Sequence, residues 1–273
     1  MPLFPYASAL RRELCARSRE YAAKHVLPCR ESYGDPPVVC YLPSEDDSAH
    51  GNFLPETYRN ISKNENWRLR LSKVHTQART TLPREDRRWR ELDSCNSSDA
   101  LLMNIFCFPG TLKKRDAFDL LGIEPGVPQF GVKARVPLAN GRFDRTEIDM
   151  RLGDLLVEAK LTESDFQSAK PELVEPYRDF VQVFDRKSLP REGKGYLSYQ
   201  LIRNVLAAYA TGCSFCVMAD ARRPDLIEDW YAIMRCVEPV DLRLRCKIIT
   251  WQELSRALPR TLQLFLGEKY GIS

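Results

Sequence analysis

The stretch Arg145–Leu161, RTEIDMRLGDLLVEAKL, constrains this chain more than any other part of it. Thr146, Ile148 and Met150 alternate with Glu147, Asp149 and Arg151, the period of a half-buried strand. Leu152-Gly153-Asp154 carries turn chemistry, and Leu155–Leu161 then runs apolar except for Glu158 and Lys160. Side chains two apart on a strand share a face, so Glu158 and Lys160 point the same way. In a paired hairpin Asp149 lies across from them. Two carboxylates and an ammonium on one sheet face resist desolvation unless they are paired. A divalent cation removes the repulsion, and Mg2+ prefers carboxylate oxygens while keeping several waters. A cation held beside a lysine suits phosphodiester cleavage. The plainer alternative is a surface hairpin with a Glu158–Lys160 salt bridge. Against it, Leu155-Leu156-Val157 reads as a central strand, where charges are not placed for solubility.

With 273 residues and 44% hydrophobic content, the chain can bury a core, either as one large domain or as a core with an extension. No apolar run approaches the roughly 20 residues of a membrane span. The N-terminal residues have no long apolar stretch ahead of their charges, so no signal peptide is read and a cytoplasmic location is expected. The net charge of +4 is unevenly placed: Tyr58 to Arg90 carries ten Lys/Arg against three acids, leaving the remainder slightly acidic. Such a segment, with Arg87, Arg88 and Arg90 at its end, suits a polyanion, and DNA is the expected partner. A solvated helical face is the other explanation. An odd count of nine cysteines without a secretory signal argues for free thiols, and the three histidines show no zinc spacing.

Along the chain, residues 1–26 predict a helix and 27–55 an irregular, proline-broken segment. Residues 55–77 predict a second helix and 80–93 a charged linker. Together they form a helical and irregular extension over 1–93. From 94 to 273 the pattern is α/β. A helix at 97–108 is capped by Ser97 or Ser98, and a short one at 116–121 is stopped by Gly122. A strand covers 129–136, Asn140-Gly141 turns the chain, and the hairpin described above follows. Helix is then expected over 171–184 and 196–210, strand at 214–219, helix at 224–236, strand at 245–250 and a closing helix from Trp251.

Asp149, eight residues, then Glu158-Ala159-Lys160 resembles the PD-(D/E)XK nuclease superfamily, the restriction-endonuclease-like fold. Ile148 replaces the proline of that pattern, a departure the superfamily tolerates. The resemblance implies an αβββαβ core over about residues 97–250, with a central mixed sheet flanked by helices. It implies a nuclease using Mg2+, or Mn2+ in its place, held by Asp149, Glu158 and a backbone carbonyl near Ala159, with Lys160 stabilising developing charge. It also implies a glutamine on the helix after the ExK strand, where Gln200 stands. Arg203 and Asn204 on that helix are then candidates for touching DNA. The helix before the first core strand often adds a polar group in this superfamily, for which Asp99 and Asn104 are the candidates. Some members hold an iron–sulfur cluster, but Cys213 and Cys216 lie three apart on a predicted strand and so face opposite sides. A protein that keeps the fold and binds nucleic acid without turnover is the alternative reading.

Overall fold

The computed structural model describes residues 5–32, 37–73 and 90–273; Arg87 and Arg88 lie outside the described residues. Two compact units are formed, Met1–Pro128 with Trp251–Ser273, and Gln129–Thr250. The helix Ser98–Phe106 and the last two helices therefore group with the N-terminal residues rather than with the sheet.

The Gln129–Thr250 unit is built on five strands: β1 (Gln129–Lys133), β2 (Glu147–Leu152), β3 (Leu155–Ala159), β4 (Ser214–Ala219) and β5 (Cys246–Thr250). Their order across the sheet is β5-β4-β3-β2-β1. The pairs β1–β2 and β2–β3 are antiparallel, whereas β3–β4 and β4–β5 are parallel. Short turns suffice for the first pairs; Gly153 turns β2 into β3 at φ 58°, a left-handed conformation that glycine adopts without strain. The parallel pairs need crossovers, and these carry the helices Tyr199–Thr211 and Pro224–Met234. A mixed sheet with flanking helices is compatible with a restriction-endonuclease-like fold.

All five residues of β3 are buried, which makes it the covered centre of the sheet. Leu201, Val205 and Ala208 of the Tyr199–Thr211 helix pack in one cluster with Leu156, Phe215 and Val217 of the sheet. At about 25 cal/mol per Å2 of apolar surface, burying one such large side chain stabilises the fold by about 1.5–3 kcal/mol.

Several elements differ from the sequence expectation for local reasons. The helix expected over 171–184 is two single turns, Pro171–Val174 and Phe180–Val183. Glu175 keeps right-handed helical dihedrals at φ −67° and ψ −24°, but Pro176 after it has no N–H to continue the helical ladder, and the first turn ends there. The helix expected to start at 196 starts at Tyr199, because Ser198 sits at φ 55° and Tyr196 pairs with Arg191 in a two-residue ladder. The 55–77 helix is interrupted at Asn64, whose side chain accepts from the Trp67 N–H and starts a new helix, Glu65–Arg70.

In the other unit the helices Pro5–Lys24 and Arg260–Tyr270 pack with a small antiparallel ladder, Cys29–Glu31 against Val39–Tyr41. The helix Ser98–Phe106 is capped by Ser97, whose side chain accepts from the Ala100 N–H, and it is buried along its whole length. All nine cysteines are free thiols. Among the described residues no helix is long and apolar enough to cross a membrane.

Candidate functional site

The β2–β3 ladder pairs Leu152 with Leu155, Arg151 with Leu156 and Met150 with Val157. At the next step a side chain takes over from the backbone: Asp149 Oδ2 accepts from the Ala159 N–H at 2.8 Å. The third strand continues along β4 instead, with the Lys160 N–H donating to Met218 O at 2.8 Å. Asp149 thus marks the place where two neighbouring strands part, with Glu158, Ala159 and Lys160 beside it.

Glu158 is 3% exposed and both of its oxygens are engaged. Oε1 lies 2.9 Å from Lys160 Nζ, and Oε2 accepts from Asn204 Nδ2 at 2.8 Å. Arg203 donates through Nε and Nη2 to Asn204 Oδ1 at 3.1 and 3.0 Å, which fixes the amide with its nitrogen toward Glu158. A second bond runs from Arg203 Nη2 to Glu147 O on β2. Asn204 is fully buried and Arg203 nearly so; the helix covers the site with them rather than presenting them to solvent. A buried carboxylate that lost these donors would carry a large desolvation cost.

Lys160 is 5% exposed and lies 5.6 Å from the Phe166 ring centroid. Burial alone would lower its pKa, but Glu158, Glu163 and Asp149 more than offset that and hold it above the ordinary lysine value. Glu163 belongs to this group although its sequence context reads as an ordinary loop acid. Its Oε2 accepts from the Leu161 N–H at 2.6 Å, so its carboxylate folds back to the end of the strand. The fully buried Arg223 holds that fold-back, donating to the carbonyls of Leu161, Glu163 and Ser164 and to the Asp225 carboxylate. The one signal for Glu163 in the sequence is its place, two residues past Leu161 at the end of the apolar run, where a carboxylate can reach back to an amide.

Gln200 lies one helical turn before Asn204, and its N–H donates to Phe166 O at 3.0 Å. Among the described residues no donor reaches its buried Oε1. An unsatisfied buried acceptor costs about 1–3 kcal/mol, and such atoms call for a partner supplied by something else.

The remaining candidates sit in the other unit. Asp99 Oδ2 is held by Arg70 Nη2 at 2.7 Å and Lys73 Nζ at 3.1 Å. Asn104 is fully buried, accepting from the Leu54 N–H and donating to Asn52 O and Ala100 O. Arg90 is exposed, and its N–H donates to Asp93 Oδ2 at 3.3 Å.

Among the described residues no three Asp, Glu, His or Cys side chains gather as a metal-holding group. What the site offers is two carboxylates and strand-end carbonyls. All are hard oxygen donors, few enough to suit a cation that keeps several of its waters, so their chemistry fits Mg2+ or Mn2+.

A family model described as Restriction Endonuclease associating with ARP matches residues 16–271. No curated protein and no solved structure matches the chain.

Proposed function

The chain belongs to the Restriction Endonuclease associating with ARP family, and on that premise we propose that it is a divalent-metal-dependent endonuclease of the PD-(D/E)XK type acting on DNA. The observation that carries this reading is the meeting of Asp149, Glu158 and Lys160 where β2 and β3 part, under a helix that brings Asn204 to Glu158. In this reading Asp149, Glu158 and the Ala159 carbonyl hold Mg2+, with Mn2+ able to replace it. Bound there, the cation supplies Lewis-acid charge to the scissile phosphate and activates the attacking water. Lys160 aims its ammonium at the charge that develops on the phosphate, and a preorganised donor in a dry site is worth far more than in water. Arg203 and Asn204 keep Glu158 from rotating, and the Gln200 amide oxygen steadies the loaded site. Arg87, Arg88 and Arg90 bind backbone phosphates. The family's name also points to a protein partner, ARP, for this chain.

One observation favours the rival reading of a nucleic-acid-binding protein without turnover: the Glu158–Lys160 pair is closed, at 2.9 Å. Purified protein is therefore offered supercoiled plasmid, linear duplex, single-stranded DNA and RNA, each with and without Mg2+ or Mn2+. The proposal expects cleavage of DNA that EDTA abolishes. Salt-dependent DNA binding with no product under any of these conditions would favour the silent protein.

A further inference from the structure

Lys160 occupies Glu158 Oε1 at 2.9 Å, the same carboxylate that the proposed cation needs. A cation can enter only if the ammonium lets go, and a buried ammonium does not let go into nothing. Asp149 is no refuge, since it is the other proposed ligand. Glu163 is the third carboxylate acting on Lys160, and the proposed metal set leaves it unclaimed. Its position is built rather than incidental: the Leu161 N–H holds Oε2 at 2.6 Å, and the buried Arg223 guanidinium ties the carbonyls of Leu161, Glu163 and Ser164.

We infer that Glu163 is a positioning residue that receives the Lys160 ammonium when a divalent cation takes Glu158, so that the ion pair and the cation exchange places on one carboxylate. Glu163 touches neither cation nor phosphate in this scheme; it acts through Lys160. The inference rests on the metal-site reading above.

The test is calorimetric titration of Mn2+ into the full chain: wild type, Glu163→Gln, Lys160→Met and the double variant. Glu163→Gln strands the ammonium on Glu158 and weakens Mn2+ binding by about tenfold or more, within the range of ordinary coupling between groups. Lys160→Met removes the competitor and binds Mn2+ at least as tightly as wild type. In the double variant the weakening disappears, because Glu163 matters only while the lysine is present. Glu163→Asp, which keeps the charge, restores binding. The inference is overturned if Glu163→Gln binds Mn2+ like wild type. It is equally overturned if the double variant is as weak as Glu163→Gln, since Glu163 would then be a ligand itself. Absence of Mn2+ binding by wild type sinks the metal-site reading first and this inference with it. Should Glu163→Gln fold poorly, Glu163→Ser repeats that arm; failure of both to fold would make Glu163 scaffold and overturn the inference.

Discussion

Lys160 and Lys269 are both buried, one in each unit, and their surroundings are opposites. Among the described residues Lys269 has no carboxylate partner. Its Nζ donates to Gly51 O at 3.0 Å and Asn52 Oδ1 at 2.7 Å. The Tyr41 ring centroid lies 4.1 Å away, with Tyr21, Phe265 and Tyr270 within 5.6 Å. Burial pushes its pKa well below the ordinary lysine value, with Cys95 opposing. Each of these partners is a neutral group, and Lys269 anchors the last helix to the 51–52 turn. Lys160 instead feels three carboxylates, Glu158, Glu163 and Asp149, which together hold its pKa above the ordinary lysine value despite burial. The first arrangement is complete as it stands. The second gathers titratable charge at a buried strand end, and that gathering, rather than burial itself, marks it as the candidate site.

The largest effect that would sharpen this contrast is on cleavage. Asp149→Asn should lower the cleavage rate by about a thousandfold or more, about 4 kcal/mol of barrier, with the protein still folded. Rates of plasmid nicking by wild type and variant at saturating Mg2+ check it; a loss under tenfold would break the contrast.

Stability comes next. In the metal-free protein Lys160→Met leaves Glu158 buried without its counter-charge and should cost about 3–5 kcal/mol. Lys269→Met leaves two neutral acceptors without a donor, at about 1–3 kcal/mol, but also relieves the burial of an amine, so its net loss should be the smaller. Urea unfolding of the two variants in EDTA gives both numbers. The reverse order would mean that the carboxylates around Lys160 are solvated well enough not to need it.

Gln200→Ala should then reduce turnover by about ten- to a hundredfold, the usual penalty for a residue supporting a metal site. Stability should hold or rise slightly, because an acceptor that no described donor reaches is removed. A fall in melting temperature with normal turnover per folded molecule would place Gln200 in the scaffold.

The smallest expected effect is a pH slope. Lys269 has a lowered pKa in the folded state, so the unfolded chain holds more protons between that value and the free-lysine range near about 10.4. Stability therefore rises with pH across that window. Cys15 adds in the same direction: the hydrogen bond from Cys95, aided by Arg11 and Arg19, lowers its thiol to about 7, and its contribution is lost as pH falls through that value. Lys160 has a raised pKa, so its contribution is constant at neutral pH and is lost only as pH climbs through its folded value. Stability from urea unfolding should rise less steeply with pH in Lys269→Met than in wild type below the free-lysine range, by up to about 1.4 kcal/mol per pH unit. Equal slopes would show that Lys269 stays protonated in the fold.

Much of the sheet was legible because turn chemistry and strand period are local. Gly141 and Gly153 adopt the positive φ that their turns require, and β4 spans the expected 214–219. Asp149, Glu158 and Lys160 were legible for the same reason, since spacing along two adjacent strands suffices to bring them together. What escaped depends on distant contacts. Arg203 and Asn204 read as a polar helical face, yet that face closes over Glu158, a partner 46 residues from Asn204. The ion pairs of Asp99 reach back 29 residues to Arg70 and 26 to Lys73, which no local pattern announces. Glu163 is held through a guanidinium 60 residues away. Pro176 was visible in the sequence, and the N–H it lacks accounts for the broken 171–184 helix.

The central claim is that the carboxylate-bound lysine works in cleavage and the carbonyl-bound lysine does not. Mn2+-dependent cleavage of supercoiled plasmid by Lys160→Met and Lys269→Met, each normalised to its folded fraction, tests it most directly. Lys269→Met is predicted to cleave at the wild-type rate and Lys160→Met to lose about a hundredfold or more. Equal rates in the two variants, whether both intact or both lost, would contradict it.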